Sequence, residues 1–457
     1  MALITNAIKR IEGPLLFLSP IPRVKFDEIV QIKTPDNEII IGRTVLVSET
    51  GVVIEVFRGT QGLDLSRTDI EFTGDTFKIP LSQDMISRTF NGIGRPVDDG
   101  PEIIAESWAD INGEPINPFA REYPRELIET GISSIDTLAT LVCGQKLPIF
   151  SAQGLPHDEI AARIVKYGKI FSKEKEKQFL IIFAGIGIKN DTALFFKENF
   201  TRTASKVISY INLASDPTIE RLLIPRLALT TGEYFAFTKD YDVLVIFIDM
   251  TNYCEALREI SASKDEVPSR KGFPGYMYSD LASIYERAGR IKGKTGSITQ
   301  IPILTMPNDD ISHPIPDLTG YITEGQIVLS RTLFGKNIAP PLDMLASLSR
   351  LMKDAIPGRT RDDHADVMSQ LYASYSKALD VRALQSIVGD EGLTPLDKQY
   401  LKFADEYETR FLTQPMESRR TFDEGLNIAW KVLSILPSSE LIKIKRKFID
   451  TYYVHSS

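Results

Sequence analysis

Five short apolar segments, each running into a stretch of helical periodicity, constrain this 457-residue chain more than any other feature: residues 147–150, 179–184, 207–213, 243–248 and 301–306. Buried strands alternating with helices build a parallel sheet, because each crossover helix covers a face of the sheet that it spans. Ligand loops of such a sheet gather at the carboxyl ends of its strands. Here those ends are 151–154, 185–187, 214–216, 249–252 and 307–310.

The regions on either side have different textures. Residues 29–33, 39–47 and 52–57 are β-rich runs broken by Pro35-Asp36-Asn37 and Glu49-Thr50-Gly51, which predicts a small antiparallel sandwich or barrel. Beyond Arg350 the β-rich runs nearly vanish, and Pro-free amphipathic stretches appear at 364–388 and 396–412. Thr394 before Pro395 reads as an N-cap with proline at the first helical position. Thr421, three residues before Glu424, reads as a capping box. These signals predict a helical bundle. Length alone suggests about three domains, and the texture divides them at 1–74, 75–350 and 351–457.

Composition narrows the functions. The chain carries 53 basic and 61 acidic residues, a net charge of −8, with no long Lys/Arg run. A nucleic-acid groove needs concentrated positive charge, so no nucleic acid is expected as a partner. Cys143 and Cys254 lie far apart, without zinc-site spacing, and fit a reducing cytosol. No two of His157, His313, His364 and His455 are spaced as a metal pair, so no metal site is expected, and His313, among prolines and acids, reads as part of an ordered loop. Apolar runs such as 243–248 fall far short of the ~20 residues that span a bilayer, and residues 1–10 lack a signal-peptide core. The chain is therefore expected to serve any membrane from outside, without insertion.

The segment from Lys146 to Glu159 has the order of a phosphate-binding loop: strand, glycine-containing turn, helix start. The chemistry requires GxxxxGK[ST], in which lysine neutralises the β and γ phosphates and the hydroxyl ligates magnesium. Ser151, Gly154 and His157 mark a loop without that lysine, and Asp158 and Glu159 would repel a triphosphate. The residues favour a strand-to-helix turn with no tight nucleotide site over a weakened site. Asp249 ends an apolar strand as a magnesium-binding acid would, but without the loop lysine it reads better as a cap of the next helix, near Thr251 and Asn252. Asn91-Gly92-Ile93-Gly94 lacks a third glycine and a preceding strand, and reads as a turn.

Longer strings carry a resemblance. Thr130-Gly131-Ile132-Ser133-Ser134-Ile135-Asp136, Asp216-Pro217-Thr218-Ile219-Glu220-Arg221, the run from Asp249 to Glu259, and the stretch from Thr299 through Gln326 resemble the noncatalytic, regulatory B subunit of V-type and archaeal-type rotary ATPases. The likeness extends from Gly13-Pro14-Leu15 to Leu436-Pro437. It implies an N-terminal β-barrel, a central α/β domain of the P-loop NTPase (RecA-like) kind with a degenerate P-loop, and a C-terminal α-helical bundle. It further implies a ring of three such chains alternating with three catalytic A subunits, around central rotor shaft subunits and braced by peripheral stalk subunits. ATP or ADP would sit at the interface with the A subunit, magnesium would belong to the A-subunit site, and no catalytic residue would lie in this chain. The complex would be peripheral on the cytosolic face of a membrane and couple ATP hydrolysis to proton transport. Residues 351–356 and 363–367 lean toward eukaryotic vacuolar forms and vacuolar acidification.

The resemblance also assigns residues. Arg350, in Ser347-Leu348-Ser349-Arg350, would reach into the ATP site of the neighbouring A subunit as an arginine finger. The loop containing Arg270 and Lys271 would face the shaft. Cys143 replaces the family's usual arginine, Gln153 a small residue, and Ser269-Arg270-Lys271 a Gly-Arg-Arg; the first two flank the loop and speak against nucleotide binding there. Two rival readings are a catalytic ATPase subunit of the same superfamily and a nucleotide-free scaffold.

Overall fold

The computed structural model describes residues 3–172, 178–203 and 205–454, so His455 lies outside the described residues. Seven strands open the chain: β1 (Leu3–Thr5), β2 (Ile8–Glu12), β3 (Leu15–Leu18), β4 (Ile29–Lys33), β5 (Ile39–Ser48), β6 (Gly51–Val56) and β7 (Asp69–Phe72). They pair antiparallel in the order β1-β7-β4-β5-β6-β3-β2. Only Asn6 and Ala7 separate the two edge strands in the chain, and so short a link keeps the edges near each other and curls the sheet into a half-barrel whose edge strands, among the described residues, do not pair. Alternation fills it: Val30 and Ile32 point inward on β4 while Gln31 and Lys33 face solvent, and Leu16, Ile54 and Ile70 complete the core.

The central sheet runs Leu342–Ser349, Gly325–Leu329, Ile149–Ala152, Ser297–Met306, Asp242–Ile248, Phe179–Ile188, Val207–Leu213 and Thr89–Phe90. Along this order all neighbours are parallel except Leu342–Ser349, which adds antiparallel at one edge; off it, Gly289–Ile291 pairs antiparallel with Ser297–Met306 and carries Arg121–Glu122. Both faces are covered. Ile181, Phe183 and Ile246 face helices His157–Tyr167 and Asn190–Thr201 and a core that continues into the C-terminal helices. Leu180, Ile182 and Val245 face Thr218–Thr238 and Met250–Ser263. Burial on both sides explains why these strands read as continuous apolar runs.

Two local expectations are corrected. Residues 185–187 continue the strand Phe179–Ile188 through a register irregularity instead of forming a loop, because Gly187 adopts the left-handed φ of +58° that lets the ladder resume. A short strand, Thr89–Phe90, does precede the Asn91 turn, drawn into the sheet by Ser209 and Tyr210.

Beyond the sheet lie helices His364–Val388, Pro395–Glu406, Phe422–Leu433 and Arg446–Tyr452, the second continued by a wider turn over Tyr407–Leu412. The Thr421–Glu424 capping box forms, and at Thr394 the carboxylate of Asp397 completes a second one. No described helix is long and apolar enough to cross a membrane.

Candidate functional site

The loop after Ile149–Ala152 is closed by its own backbone. Gly154 takes φ +80°, the Leu155 amide donates to the Ala152 carbonyl at 3.0 Å, and the His157 amide donates to the Leu155 carbonyl at 2.9 Å. These amides face inward instead of presenting a cradle to an anion. Counted along the phosphate-loop spacing, the lysine's place falls on His157 and the hydroxyl's on Asp158. His157 Nδ1 lies 2.9 Å from the buried Ser151 Oγ and 3.0 Å from the Leu155 carbonyl, while its Nε2 lies 3.7 Å from Asp158 Oδ1. Burial raises the Asp158 carboxyl above the usual carboxylate range; His157 opposes the rise, and Glu159 and Asp249 add to it.

Neighbouring strand ends lock the same loop. Arg331 donates to the Gln153 carbonyl at 2.9 Å and forks onto Asp309 at 2.6 and 2.9 Å. Asp249 caps Met250–Ser263 by accepting from the Thr251 amide at 2.8 Å, and also accepts from the Thr305 amide at 3.1 Å. Asn252 donates to the Ile186 and Gly187 carbonyls. The strand ends therefore meet, and the side chains of Asp249, Asn252, Asp309 and Arg331 are all hydrogen-bonded there, while Asp158 Oδ1 is buried without a hydrogen bond among the described residues. With engaged amides, no lysine and three clustered acids, this loop does not fit a magnesium triphosphate. Gly92 and Gly94 belong to a turn in which the Asn91 carboxamide accepts from Ile93 and Arg95.

Arg350 stands apart from that loop, directly after the edge strand Leu342–Ser349. Burial alternates along the strand's end: Ser347 and Ser349 point inward, Ala346, Leu348 and Arg350 outward. Ser347 Oγ accepts from the Val328 amide at 2.9 Å, and Ser349 Oγ donates to the Thr140 carbonyl at 2.9 Å. The Arg350 amide donates to the Glu324 carbonyl at 2.9 Å. Among the described residues its guanidinium has no hydrogen bond or ion pair and is exposed. A strand end anchored on one side thus presents a free, planar cation on the other.

Residues 131–349 match the ATP synthase alpha/beta family, nucleotide-binding domain, and residues 353–453 match the C-terminal domain of V and A type ATP synthase. The chain is 54% identical to the V-type ATP synthase beta chain 2 of Clostridium tetani over 98% of each chain. It is also 54% identical to the B subunit of the A-type ATP synthase of Aeropyrum pernix, over 98% of this chain and 96% of that one. The chain belongs to the V- and A-type ATP synthase B-subunit family. A solved structure of a unique ATP synthase subunit, NeqB from Nanoarcheaum equitans, has 40% identity and a TM-score of 0.72, covering 89% of this chain and 98% of its own.

The motifs that define this B-subunit chain are structurally occupied. Asp136 is fully buried and accepts from the Thr130 amide (2.8 Å), the Thr130 hydroxyl (2.7 Å) and the Gly131 amide (3.0 Å). Burial pushes its carboxyl up to about 7 against the pull of those donors. In the Arg270 and Lys271 turn, Arg270 pairs with Asp317 at 3.0 Å and donates to the Ser312 carbonyl, and Lys271 pairs with Asp310 at 3.2 Å. Both side chains remain about half exposed. Sequence reasoning misses the buried Lys146, whose Nζ lies 2.8 Å from Glu286 and 2.9 Å from Glu324. A lysine opening a buried strand is the available signal, because such a charge demands carboxylate partners.

Cys143 also acquires a context that spacing could not give. Its Sγ and the carboxylate oxygens of Glu126 and Asp242 lie within 4.8 Å of one another. Arg290 donates to Glu126 at 3.0 Å and Ser297 to Asp242 at 2.5 Å, so a positive charge is already seated beside the group.

Proposed function

We propose that this chain is the noncatalytic subunit of a rotary ATPase head, and that Arg350 completes the nucleotide site of a neighbouring catalytic A subunit. The observation that carries the reading is the pairing of a closed loop, unable to hold a triphosphate, with an anchored arginine at the sheet edge whose guanidinium has no partner among the described residues. A planar guanidinium stabilises charge developing on a transferred phosphate better than an ammonium does. ATP or ADP would bind at that interface, with magnesium held by the A subunit. Membership of an ATP synthase subunit family implies a complex with other ATP synthase subunits, peripheral to a membrane. We take the assembly to be an alternating ring of three A and three B chains, with rotor shaft and peripheral stalk subunits, coupling ATP turnover to proton transport. The turn at Arg270 and Lys271 would face the shaft, with Asp317 and Asp310 holding the two cations in place.

The deciding measurement is ATP turnover of reconstituted A–B complexes carrying Arg350→Ala. Turnover is expected to fall by on the order of 10³, as for arginine fingers generally, with ring assembly intact by native mass. Arg350→Lys should be almost as damaging. Wild-type turnover in Arg350→Ala would overturn the reading and leave a scaffold.

A further inference from the structure

Gln145 is wholly buried, and its carboxamide is used at both ends. Oε1 accepts from the Val142 amide at 3.0 Å; Nε2 donates to Ser349 Oγ at 2.9 Å and to the Glu324 carbonyl at 3.2 Å. The Glu324 carbonyl is also the one that receives the Arg350 amide, at 2.9 Å. Gln145 therefore grips the residue before Arg350 by its hydroxyl and shares the acceptor to which Arg350 itself is bound. Glu324 cannot drift, because its carboxylate accepts from the Lys146 amide at 2.8 Å and pairs with Lys146 Nζ at 2.9 Å. Ser349 cannot rotate freely, because its hydroxyl donates onward to Thr140.

This bracing matters because a guanidinium acts far from its backbone. An arginine head group about 6 Å from its Cα moves about 1 Å for each 10° of misdirection, and ~1 Å of misplacement costs on the order of 10² in rate. We propose that Gln145 is a positioning residue for Arg350, fixing the direction in which that side chain leaves the sheet edge. The proposal rests on the reading of Arg350 given above. Gln145 touches no substrate and acts only through the arginine. Because it lies at the foot of the strand that leads into the closed loop, it also ties that loop's strand to the edge that carries Arg350.

The test is a double-mutant cycle in the reconstituted A–B complex, with ring assembly checked by native mass. Gln145→Met keeps the length of the side chain and removes its donors and acceptor. Turnover at saturating ATP is expected to fall by roughly 10- to 100-fold with KM changed less than about twofold, since the interaction lost serves the transition state. In an Arg350→Ala background, followed by single-turnover phosphate release, the same substitution should cause less than about a twofold further loss, because coupled residues are not additive. If Gln145→Met does not assemble, Ser349→Ala, which removes the acceptor at the other end, should give the same pattern with a loss of roughly fivefold or more. Equal proportional losses in both backgrounds, or wild-type turnover in the assembled variant, overturn the proposal. Wild-type turnover in Arg350→Ala overturns instead the reading on which it rests.

Discussion

Ser151 Oγ lies 2.9 Å from Nδ1 of His157, so the residue at the lysine's place in the loop folds back onto the strand before it. Supplying a lysine there does not rebuild the cradle, because the Leu155 and His157 amides stay engaged and Asp158 and Glu159 stay in the first helical turn. We expect the full chain carrying His157→Lys, purified free of the A subunit, to release no phosphate from ATP. Steady release by that single variant would show that the loop opens in solution.

The half-barrel meets the sheet domain through buried charge. Arg43 reaches Glu55 at 3.0 Å and Asp27 at 3.4 Å, and Arg43 and Glu55 line the same small cavity, about 110 Å³, as the Arg226–Asp280 pair. Glu55 is fully buried, so Glu55→Ala leaves Arg43 with the longer contact to Asp27 only. Removing one member of a buried pair costs about 3 kcal/mol. That loss should appear as a lower denaturant midpoint with an unchanged slope, and an unchanged midpoint would mean that solvent reaches this joint.

Much of the fold was legible because the relevant signals are local. The run 29–33, the turn at Pro35 to Asn37 and the stretch 364–388 reappear as β4, the β4–β5 turn and helix His364–Val388, since period-two and period-3.6 burial are properties of adjacent residues. The continuation of Phe179–Ile188 through Gly185 to Gly187 was hidden, because glycines signal a turn unless the neighbouring ladder is known. The brace on Arg350 was hidden for a stronger reason. Gln145, Glu324 and Ser349 are separated by up to about two hundred residues and are brought together by the pairing of Gly325–Leu329 with Ile149–Ala152 on one side and Leu342–Ser349 on the other. The motif around Arg350 was readable by resemblance, while the lack of a partner for its guanidinium among the described residues required the structure.

The helix Phe422–Leu433 begins on Thr421, whose hydroxyl accepts from the Glu424 amide at 3.3 Å while the Glu424 carboxylate accepts from the Thr421 amide at 2.8 Å. Thr421→Ala should cost about 1 kcal/mol in unfolding free energy, and Thr421→Ser only a few tenths. Calorimetry that found both substitutions equally costly would point to packing of the threonine methyl instead of capping.

Glu220 sits 7% exposed in the first turn of Thr218–Thr238, where burial, with a smaller contribution from Asp216, pushes its carboxyl up to about 7 from an ordinary 4.5. A folded-state value above the unfolded one means that the folded chain holds the proton more tightly. The stability this contributes is full below about pH 4.5 and is lost as pH rises through about 7. Asp136, also pushed up to about 7, acts in the same direction, so removing Glu220 should reduce the slope without abolishing it. His313 and His364, lowered by burial, act in the opposite direction below pH 6.5, and their effect cancels when two variants are compared. Glu220→Gln keeps the shape and removes the charge. At pH 4 it should match the parent chain; at pH 8 it should be more stable by ~1–2 kcal/mol, less than the full shift implies because the carboxylate is not wholly removed from solvent. Denaturant curves for both chains at the two pH values decide the matter, and a variant no more stable than the parent at pH 8 would show that Glu220 is ionised at no cost in the folded protein.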